Sequence, residues 1–540
     1  MATLIKNAKI YVEKGKYEQA MVVENGYIRA VGANEAVEKL AGAGAEVIDC
    51  GGKTVIPGFN DSHIHLMLYG TKRKQVRIGQ AKSIEEIIET CGAFMKQYPE
   101  RTSRGILAIG WNQDTLAEKR MPNRNDLDRI STDIPIVLRR VCGHVLAANT
   151  MALEMIIDRG DMKRVPNELY EKDSSGKLNG VLYEAAAMEG MTIIPDPSDE
   201  ERDSALVDVM HEAVSYGITS VQANDISPNT GDENQVERVT KKIFDEGRSP
   251  LRLRWQCFYR ELDKFKASLD HGVFSRREEY NKGRMLTVGP LKLFKDGSLG
   301  GRSALLRGEY ADAPGVSGVA TISEETAKEF CRIAADNGLQ VITHSIGDGA
   351  IDSMMNAYES VSEAGNPLRH CILHCQITDM QMLERIRDKG FLVSYQPCYL
   401  NSDLYVVDSR VGAELAATSN AFGTLYQMIG RRMSLGTDCP IENMNPFENV
   451  YCAVTRKDQG GYPPQGYYPR ECMDVSDAID AYTEGSAYCE FAEDWKGRLK
   501  PGYCADLVVL DADIFTVPSE KIREIRPVMT MVDGKVVYRK

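Results

Sequence analysis

The sequence predicts an α/β protein built on a parallel (β/α)8 barrel, and three features of the chain support that fold class. Apolar strands alternate with helices through the middle of the chain, which is typical of a parallel sheet. Short strands with tight turns occupy both ends. Four histidines and an aspartate lie where predicted strands end, and active sites of such barrels are built at the strand ends.

The composition excludes several classes of protein. The 540 residues have a formal net charge of −13, and no block of basic residues suggests a nucleic-acid partner. No apolar run approaches the length of a membrane span, and residues 1–7 lack the basic and apolar regions of a secretory signal. The 13 cysteines are scattered without a CxxC pair, which favours reduced thiols. We therefore expect a cytoplasmic protein that acts on a small molecule, as a single chain or a homodimer.

The two ends of the chain are predicted to form one small β-sandwich domain, made of residues 1–55 and 490–540. Residues 20–28 contain two strands joined by an Asn-Gly turn. Residues 506–510 form an apolar run, and residues 529–538 read as a hairpin on an Asp-Gly turn. Two β-rich ends around an α/β middle suggest that the ends pack together outside the barrel.

The barrel is predicted to occupy residues 56–489. One of its helices is expected to begin at Ser323 and end at Gly338, and another to begin at Thr378 and end at Gly390. The strands around these helices are expected at residues 339–344, 371–374, 391–395 and 433–438.

A long segment interrupts this alternation. If the first barrel strand ends near Phe59 and the second lies at residues 218–221, the connection between them is far longer than an ordinary crossover. Residues 66–215 are therefore predicted to form an inserted subdomain after the first barrel strand. Its own strands are expected at residues 106–109 and 136–138.

The candidate functional residues are histidines and an aspartate at strand ends. His63 and His65 have the i, i+2 spacing that places two side chains on one face of a strand. His344, His374 and Asp438 each end a later predicted strand. Neutral imidazoles with a carboxylate suit zinc and related divalent metals. A single strand-terminal histidine is often only a hydrogen-bonding loop residue, whereas the set of five favours a metal site.

These residues lie in segments that resemble the amidohydrolase superfamily, and within it the branch of N-substituted formamide deformylases. The segment at 57–65 (PGFNDSHIH) resembles the family's motif on barrel strand one, and that at 292–300 (KLFKDGSLG) resembles the motif on strand four. Further resemblances to strands five, six and eight and to the closing β domain occur at residues 343–348, 373–376, 436–440, 445–446 and 505–508. The resemblance spans nearly the whole chain.

The resemblance implies a set of metal ligands. His63, His65 and Asp438 would hold one divalent metal, with zinc as the first expectation, and His344 and His374 would hold a second. The side chain that would bridge them is Lys292, as a carbamate formed with CO2. A single metal beside an unmodified structural lysine is the alternative. Lys295 complicates the assignment, but strand alternation places the two lysines on opposite faces and favours Lys292.

The implied reaction is hydrolysis of an amide-like C–N bond, such as that of an N-substituted formamide, by metal-activated hydroxide. Asp438 would move the proton from water to the leaving nitrogen. His144, in a family-like segment with Asn149, would donate to the developing oxyanion, although a structural role is nearly as well supported.

Other residues receive weaker assignments or none. Trp111 and Tyr395 are candidates to line the pocket, with core packing as the alternative. Glu184 and Asp296 lie in family-like segments without a role that the sequence supplies.

Two rival functions remain open at this stage. The same site could deaminate a cyclic amidine or hydrolyse an ester, because substrate choice depends on loops and on the insertion. A metal-free binding protein on the same barrel would be expected to have lost ligands, whereas every ligand position here is filled.

Overall fold

The computed structural model describes residues 2–42, 44–73, 75–158, 169–228, 230–362 and 365–540. The chain divides into two compact units. The larger comprises Met1–Leu68 with Leu206–Lys540, and the smaller comprises Tyr69–Ala205. Among the described helices, none combines the length and the apolar character needed to cross a bilayer.

The larger unit contains an eight-stranded sheet in which the strands follow one another in chain order, and every hydrogen-bonded pair is parallel. This arrangement confirms the predicted α/β class and its parallel sheet. The strands are Phe59–Ile64, Ile218–Ile226, Arg252–Phe258, Leu286–Phe294, Val341–Ser345, Cys371–His374, Leu392–Tyr395 and Met433–Leu435. The expectation that the first strand ends near Phe59 is wrong, because pairing with the second strand begins there.

Backbone contacts bring the first and eighth strands together and nearly close the sheet into a barrel. Asp438 N donates to His63 O at 2.8 Å, and His65 N donates to Cys439 O at 2.8 Å. The hydroxyl of Thr437 also donates to the buried carboxylate of Asp61 at 2.6 Å. The closure therefore places Asp438 beside the two histidines of the first strand.

Helices follow the barrel strands, and their ends show the expected caps. Ser323 Oγ accepts from the amide of Thr326, and Gly390 adopts a left-handed conformation at the end of another helix. That second helix begins at Met380, two residues later than the predicted Thr378, because the Asp379 carboxylate caps it by accepting from Met382 N at 2.7 Å.

The described α-helices in or entering the larger unit are Asn34–Ala41, Leu66–Lys72, Asp199–Ser215, Glu233–Asp245, Leu262–Asp270, Arg277–Asn281, Glu324–Asp336, Asp348–Glu359, Met380–Lys389, Leu400–Asp403, Val407–Ala416, Phe422–Ile429, Pro446–Thr455, Val475–Asp480 and Ser486–Cys489. Short 3-10 segments are Val273–Arg276, Pro397–Tyr399, Gly430–Arg432, Pro469–Glu471 and Ser519–Glu524, and Ala481–Gly485 is a π-helical turn.

Both ends of the chain contribute strands to one six-stranded sheet. Its order is Lys535–Arg539, Pro527–Val532, Leu507–Leu510, Thr54–Pro57, Lys9–Glu13 and Lys16–Glu18. A four-stranded sheet has the order Tyr27–Gly32, Ala20–Glu24, Ala2–Lys6 and Glu46–Asp49. One apolar core contains side chains of both sheets, among them Ile5, Met21, Val55 and Leu507. A separate β-sandwich domain with the bounds 1–55 and 490–540 stays a prediction.

The smaller unit has a six-stranded mixed sheet of its own. Its order is Tyr170–Lys172, Leu178–Tyr183, Val145–Ala148, Ile136–Arg140, Ile106–Trp111 and Val76–Arg77. The remaining helices in the described part of this unit are Ile84–Gln97, Pro99–Thr102, Arg124–Asp128, Thr150–Asp158 and Glu184–Met191. Both strands expected here are present, and they pair in parallel. The bounds 66–215 for an insertion stay a prediction.

Candidate metal centre

Three of the expected ligands form a compact group at the carboxyl end of the barrel. His63 and His65 each direct Nε2 toward one oxygen of Asp438, at 3.4 and 3.1 Å from Oδ1. Potential ligand atoms of the three residues all lie within 4.8 Å of one another, and all three side chains are buried. Two imidazoles and one carboxylate in this arrangement form a ligand group suited to a divalent metal.

A glutamine that sequence reasoning missed fixes the ring of His63. Gln256 Oε1 accepts from His63 Nδ1–H at 2.5 Å, and Gln256 Nε2 donates to Ser62 O at 2.9 Å. Since Nδ1 then holds the proton, the lone pair of His63 lies on Nε2, the atom beside Asp438. Such partners of ligand histidines set both tautomer and ring orientation.

The later histidines lie side by side next to this group. The ring centroids of His344 and His374 are 4.5 Å apart, and that of His374 is 6.2 Å from His63. Gly297 O accepts from His344 Nε2–H at 3.0 Å, which leaves Nδ1 as the lone-pair atom of His344. His374 has a positive φ of 71°, an uncommon conformation for a non-glycine residue that tertiary contacts must hold in place.

The two neighbouring lysines have different surroundings. Lys292 is fully buried, and its Nζ has no hydrogen-bond partner among the described residues. Its Nζ lies 4.4 Å from the ring centroid of Phe294. Lys295 Nζ, by contrast, donates to Ile322 O at 2.7 Å. Lys295 Nζ therefore has a hydrogen-bond partner, whereas the Lys292 amine has none among the described residues and is available for another.

Burial controls the charges at this mouth. It lowers the pKa of His63 and of His374 well below the ordinary value, and that of His344 to about 4. These three rings are consequently neutral at pH 7, as metal ligation requires. Burial opposes ionisation of Asp438, but the imidazoles of His63 and His65 more than offset it and hold the pKa of Asp438 well below its ordinary value.

Tyr399 is a second residue that sequence reasoning missed. Its hydroxyl donates to Asp438 Oδ2, and its ring stacks on that of His374 with centroids 5.4 Å apart. The tyrosine lies in the 3-10 segment after the seventh barrel strand. It therefore orients the carboxylate from the side opposite to the two histidines, which approach Oδ1.

Asp296 has a structural role that the sequence did not supply. Its carboxylate accepts from the backbone amides of Leu305, Ile346 and Gly347 at 2.9, 3.1 and 2.8 Å. Burial raises the pKa of Asp296 to about 7, while the amide hydrogen bonds act in the opposite direction. These bonds join the loop after strand four to the residues that follow His344.

A profile of the amidohydrolase family matches residues 46–538. The chain belongs to the amidohydrolase family. It is 30% identical over 533 residues to YtcJ of Bacillus subtilis (strain 168), a protein provisionally named an amidohydrolase, covering 98% of this chain and 97% of that protein. It is 24% identical over 552 residues to the N-substituted formamide deformylase of Arthrobacter pascens. That match covers 99% of this chain and 97% of the deformylase. The crystal structure of an uncharacterized metal-dependent hydrolase from Pyrococcus horikoshii OT3 has a TM-score of 0.78 and 28% identity, covering 96% of this chain and 99% of that one.

The donor set of this amidohydrolase fits a divalent metal. Four candidate-site residues have a buried polar atom without a hydrogen-bond partner among the described residues: Asp438 Oδ1, His65 Nδ1, His374 Nδ1 and Lys292 Nζ. Leaving such atoms unsatisfied costs about 1–3 kcal/mol each. A cation near the imidazole and carboxylate donors would offset part of that cost.

His144, the expected oxyanion donor, belongs to the smaller unit. Within that unit its Nδ1 lies 3.0 Å from Glu184 Oε2, and its carbonyl accepts from Glu184 N at 2.9 Å. The side chain of His144 is 68% exposed, and that of Glu184 is 62% exposed. Glu184 therefore orients the His144 ring, and the action of His144 on a substrate stays a prediction.

The remaining candidates pack in hydrophobic cores or hold local structure. Trp111 is buried in the core of the smaller unit, and its Nε1 donates to Leu138 O at 3.0 Å. Asn149 accepts from the amides of Ile136 and Ala152, so it supports the sheet and the following helix. Tyr395 is fully buried against Phe422. For Trp111 and Tyr395 these contacts match the packing alternative.

Proposed function

We propose that this amidohydrolase hydrolyses an amide-like C–N bond of a small molecule, and that a divalent metal at the barrel mouth is required. The observation that supports the proposal is the convergence of His63, His65 and Asp438 beside the His344–His374 pair and the unpartnered Lys292. The similarity to an N-substituted formamide deformylase suggests formamides as the first substrates to test.

His63, His65 and Asp438 would hold one metal, and His344 and His374 would contribute to a second site. A bound divalent metal would supply Lewis acidity and lower the pKa of water. Burial keeps the rings of His63, His344 and His374 neutral, so each has a lone pair for a metal. Zinc is the first metal to test, because imidazole and carboxylate donors are its common ligands.

We further propose that Lys292 bridges two metals as a carbamate. The neutral Lys292 amine would attack the carbon of CO2, forming an N–C bond as one C=O π bond breaks and one N–H proton is released to solvent, so that the neutral amine becomes an anionic carbamate oxygen donor. Burial lowers the pKa of Lys292 to about 7, and a large share of the amine is therefore uncharged near neutral pH. Two adjacent cations need shared anions between them, and Asp438 is the only carboxylate in the compact group found among the described residues.

Asp438 is the proposed proton carrier of the reaction. Its Oδ1 lies toward the two histidines of strand one, and its Oδ2 accepts from Tyr399. A carboxylate in this position would accept a proton from the attacking water and deliver it to the leaving nitrogen. Tyr399 positions the carboxylate so that one oxygen remains available at the reacting centre.

His144 is proposed as an additional donor to the oxyanion that forms at the substrate carbonyl. The contact with Glu184 restricts the ring and would reduce the reorganisation needed on substrate binding. His144→Asn should lower kcat by about 10²-fold if the donor acts in the transition state. An unchanged kcat on a good substrate would remove His144 from the mechanism.

The test is a substrate screen on purified, metal-loaded protein. Formamides, N-acyl amino acids and cyclic imides are assayed for release of amine or acid, with esters and cyclic amidines in parallel. The proposal expects hydrolysis of at least one amide-like compound, loss after chelation and recovery on addition of zinc. Turnover confined to esters or amidines, or turnover that chelation leaves unchanged, would contradict it.

A further inference from the structure

A cavity lies at the opposite end of the barrel from the metal centre. It has a volume of about 500 Å³, and its walls include Arg254, Thr287 and Gln340, which lie at or just before the amino ends of barrel strands. Lys292 is five positions farther along the strand that contains Thr287, roughly 16 Å at the usual rise per residue. We call this cavity the floor pocket.

The floor pocket has an excess of positive charge. Its one carboxylate, Glu490, is paired with Lys496 at 2.5 Å, and Arg252 is paired with Asp506 at 2.7 Å. The remaining cations in its walls are Arg254, Arg277, Lys282 and Arg284. Within the described ranges, none of these four forms an ion pair with a carboxylate. The excess stands out in a chain whose formal net charge is −13.

Two of these arginines are held in place without neutralisation. Arg254 donates from one terminal nitrogen to Glu490 O at 2.8 Å, but its buried Nε has no partner among the described residues. Arg277 donates to Gly338 O at 3.1 Å. Burial lowers the pKa of both guanidinium groups. The buried Nε of Arg254 is costly to leave without a partner, and an anion or a water would offset that cost.

The neighbouring backbone is shaped around Arg254. A Cβ atom at position 289 would lie 2.5 Å from Arg254 Nε and 2.6 Å from Trp255 O, so the glycine at that position provides the space for the guanidinium. Trp495 supplies an aromatic wall, with the Arg284 guanidinium 4.8 Å from its ring centroid. The pocket thus combines two hydrogen-bonded arginines, Arg254 and Arg277, with two exposed cations, Lys282 and Arg284, and an aromatic wall.

We propose that the floor pocket binds a small organic anion with a phosphate or carboxylate group. Guanidinium groups bind both kinds of oxyanion through paired hydrogen bonds. The volume is within the range of small-molecule sites and exceeds that of a bare phosphate ion. Catalytic residues of such barrels lie at the other end, so the ligand would bind without entering the reaction.

Binding can be measured through Trp495. The other two tryptophans of the chain, Trp111 and Trp255, are buried at 1% and 0% exposure, whereas Trp495 lines the pocket. The metal-loaded full-length protein is titrated with phenyl phosphate, with benzoate and with uncharged benzyl alcohol, at constant ionic strength. Fluorescence and thermal unfolding are recorded together, because a ligand that binds the folded state raises Tm.

The proposal expects saturable binding of phenyl phosphate or benzoate but not of benzyl alcohol, with the fluorescence change lost in Trp495→Phe. The stronger of the two anions identifies the preferred oxyanion. Arg277→Gln and Lys282→Ala should each weaken binding by about tenfold or more, which is the loss of one charge-assisted contact. Arg332→Gln, which removes an exposed arginine paired with Glu329 and Asp336, should leave binding unchanged.

Asp438→Asn distinguishes the floor pocket from the metal centre, because anions also bind metals. Binding that persists in Asp438→Asn and weakens in Arg277→Gln supports the proposal, whether or not a hydrolytic substrate is ever found. Binding lost in Asp438→Asn, binding weakened equally in Arg332→Gln, or a Kd above roughly 1 mM for both anions would overturn it.

Discussion

The two ends of the barrel use the same strands for opposite chemistry. On the strand Arg252–Phe258, Arg254 lines the floor pocket, whereas Gln256 orients His63 at the mouth. The mouth has lone pairs on neutral imidazoles and a carboxylate, and the floor has four cations that pair with no carboxylate in the described part of the chain. Each end therefore has a buried polar atom without a partner among the described residues, Asp438 Oδ1 at the mouth and Arg254 Nε at the floor. A cation at the mouth and an anion at the floor would offset the cost of burying them.

The position of a residue along a barrel strand influences the chemistry of its side chain as much as the residue type does. Lys292 is a cation by type, yet burial at the mouth favours its neutral amine. Arginine cannot be deprotonated in this way under ordinary conditions, so Arg254 at the floor requires an anion or water instead. Substitutions at the mouth should consequently affect metal binding and turnover, and those at the floor should affect anion binding.

The largest effect is expected from Asp438→Asn. The amide removes the negative ligand between His63 and His65 and also the proposed proton carrier, so kcat/KM should fall by about 10³-fold or more. Kinetics on the substrate found by screening measure the loss, and circular dichroism checks the fold. Asp245→Asn, at an exposed helix position, serves as the matched control. Equal activity of the two variants would contradict the role of Asp438.

The next largest difference should separate the two lysines. Lys292→Ala should lower the metal content and abolish turnover, whereas Lys295→Ala removes only a hydrogen bond to Ile322 O and should be milder. The measurement is metal per chain for both variants. Similar metal loss in both would place the modified lysine in doubt.

Carbamate formation should also depend on pH. The lowered pKa of Lys292, about 7, means that the reactive neutral amine increases as pH rises through that value and decreases below it. At fixed CO2 pressure, reconstitution of metal-free protein should therefore rise between about pH 6 and 8. The amount of carbamate is measured by 13C NMR with labelled CO2, as a signal that appears in the wild type and not in Lys292→Ala. A signal present equally in both proteins would contradict the assignment.

A smaller effect is expected at Gln256. Gln256→Leu leaves His63 Nδ1 without its acceptor, so the ring loses a defined tautomer and metal affinity should fall by about 10–100-fold. Competition with a chelator measures the affinity. Gln222→Leu, on the neighbouring strand but bonded to Ser486 O, is the matched control. An affinity unchanged in Gln256→Leu would show that His63 needs no such support.

The smallest effect at the mouth should come from Tyr399→Phe. Loss of one hydrogen bond to the Asp438 carboxylate should lower kcat by about tenfold, with KM changed less. Tyr405→Phe removes a comparable hydroxyl contact to Asp458 and provides the control. A change in KM alone would indicate that Tyr399 contacts the substrate rather than positioning Asp438.

The sequence predicted the parallel sheet and the strand-end positions of the candidate ligands because both depend on local patterns. Apolar runs identify buried strands, and His344 and His374 stand at the ends of two of them. Gln256 and Tyr399 were not found, since their roles depend on contacts across the barrel mouth. Gln256 stands between the apolar residues Trp255 and Cys257 of its strand, which is a weak sequence signal, whereas Tyr399 lies in a short 3-10 turn without any such pattern.

The ends of strands were harder to predict, because they also depend on contacts between distant parts of the chain. The first barrel strand begins at Phe59 because it pairs with Ile218, a contact across a long connection that no local pattern reveals. Arg254 and Arg277 are likewise ordinary charged residues in the sequence. Only the fold shows that they share a pocket and that no carboxylate of the described residues pairs with either.

Elemental analysis is the sharpest test of metal binding at the barrel mouth. The protein is expressed with zinc, purified without chelator and analysed by plasma mass spectrometry beside Asp438→Asn and Lys292→Ala. The structure predicts at least one zinc per wild-type chain, about two if Lys292 bridges a pair, and a clear decrease in both variants. A wild-type value far below one metal per chain would contradict the account.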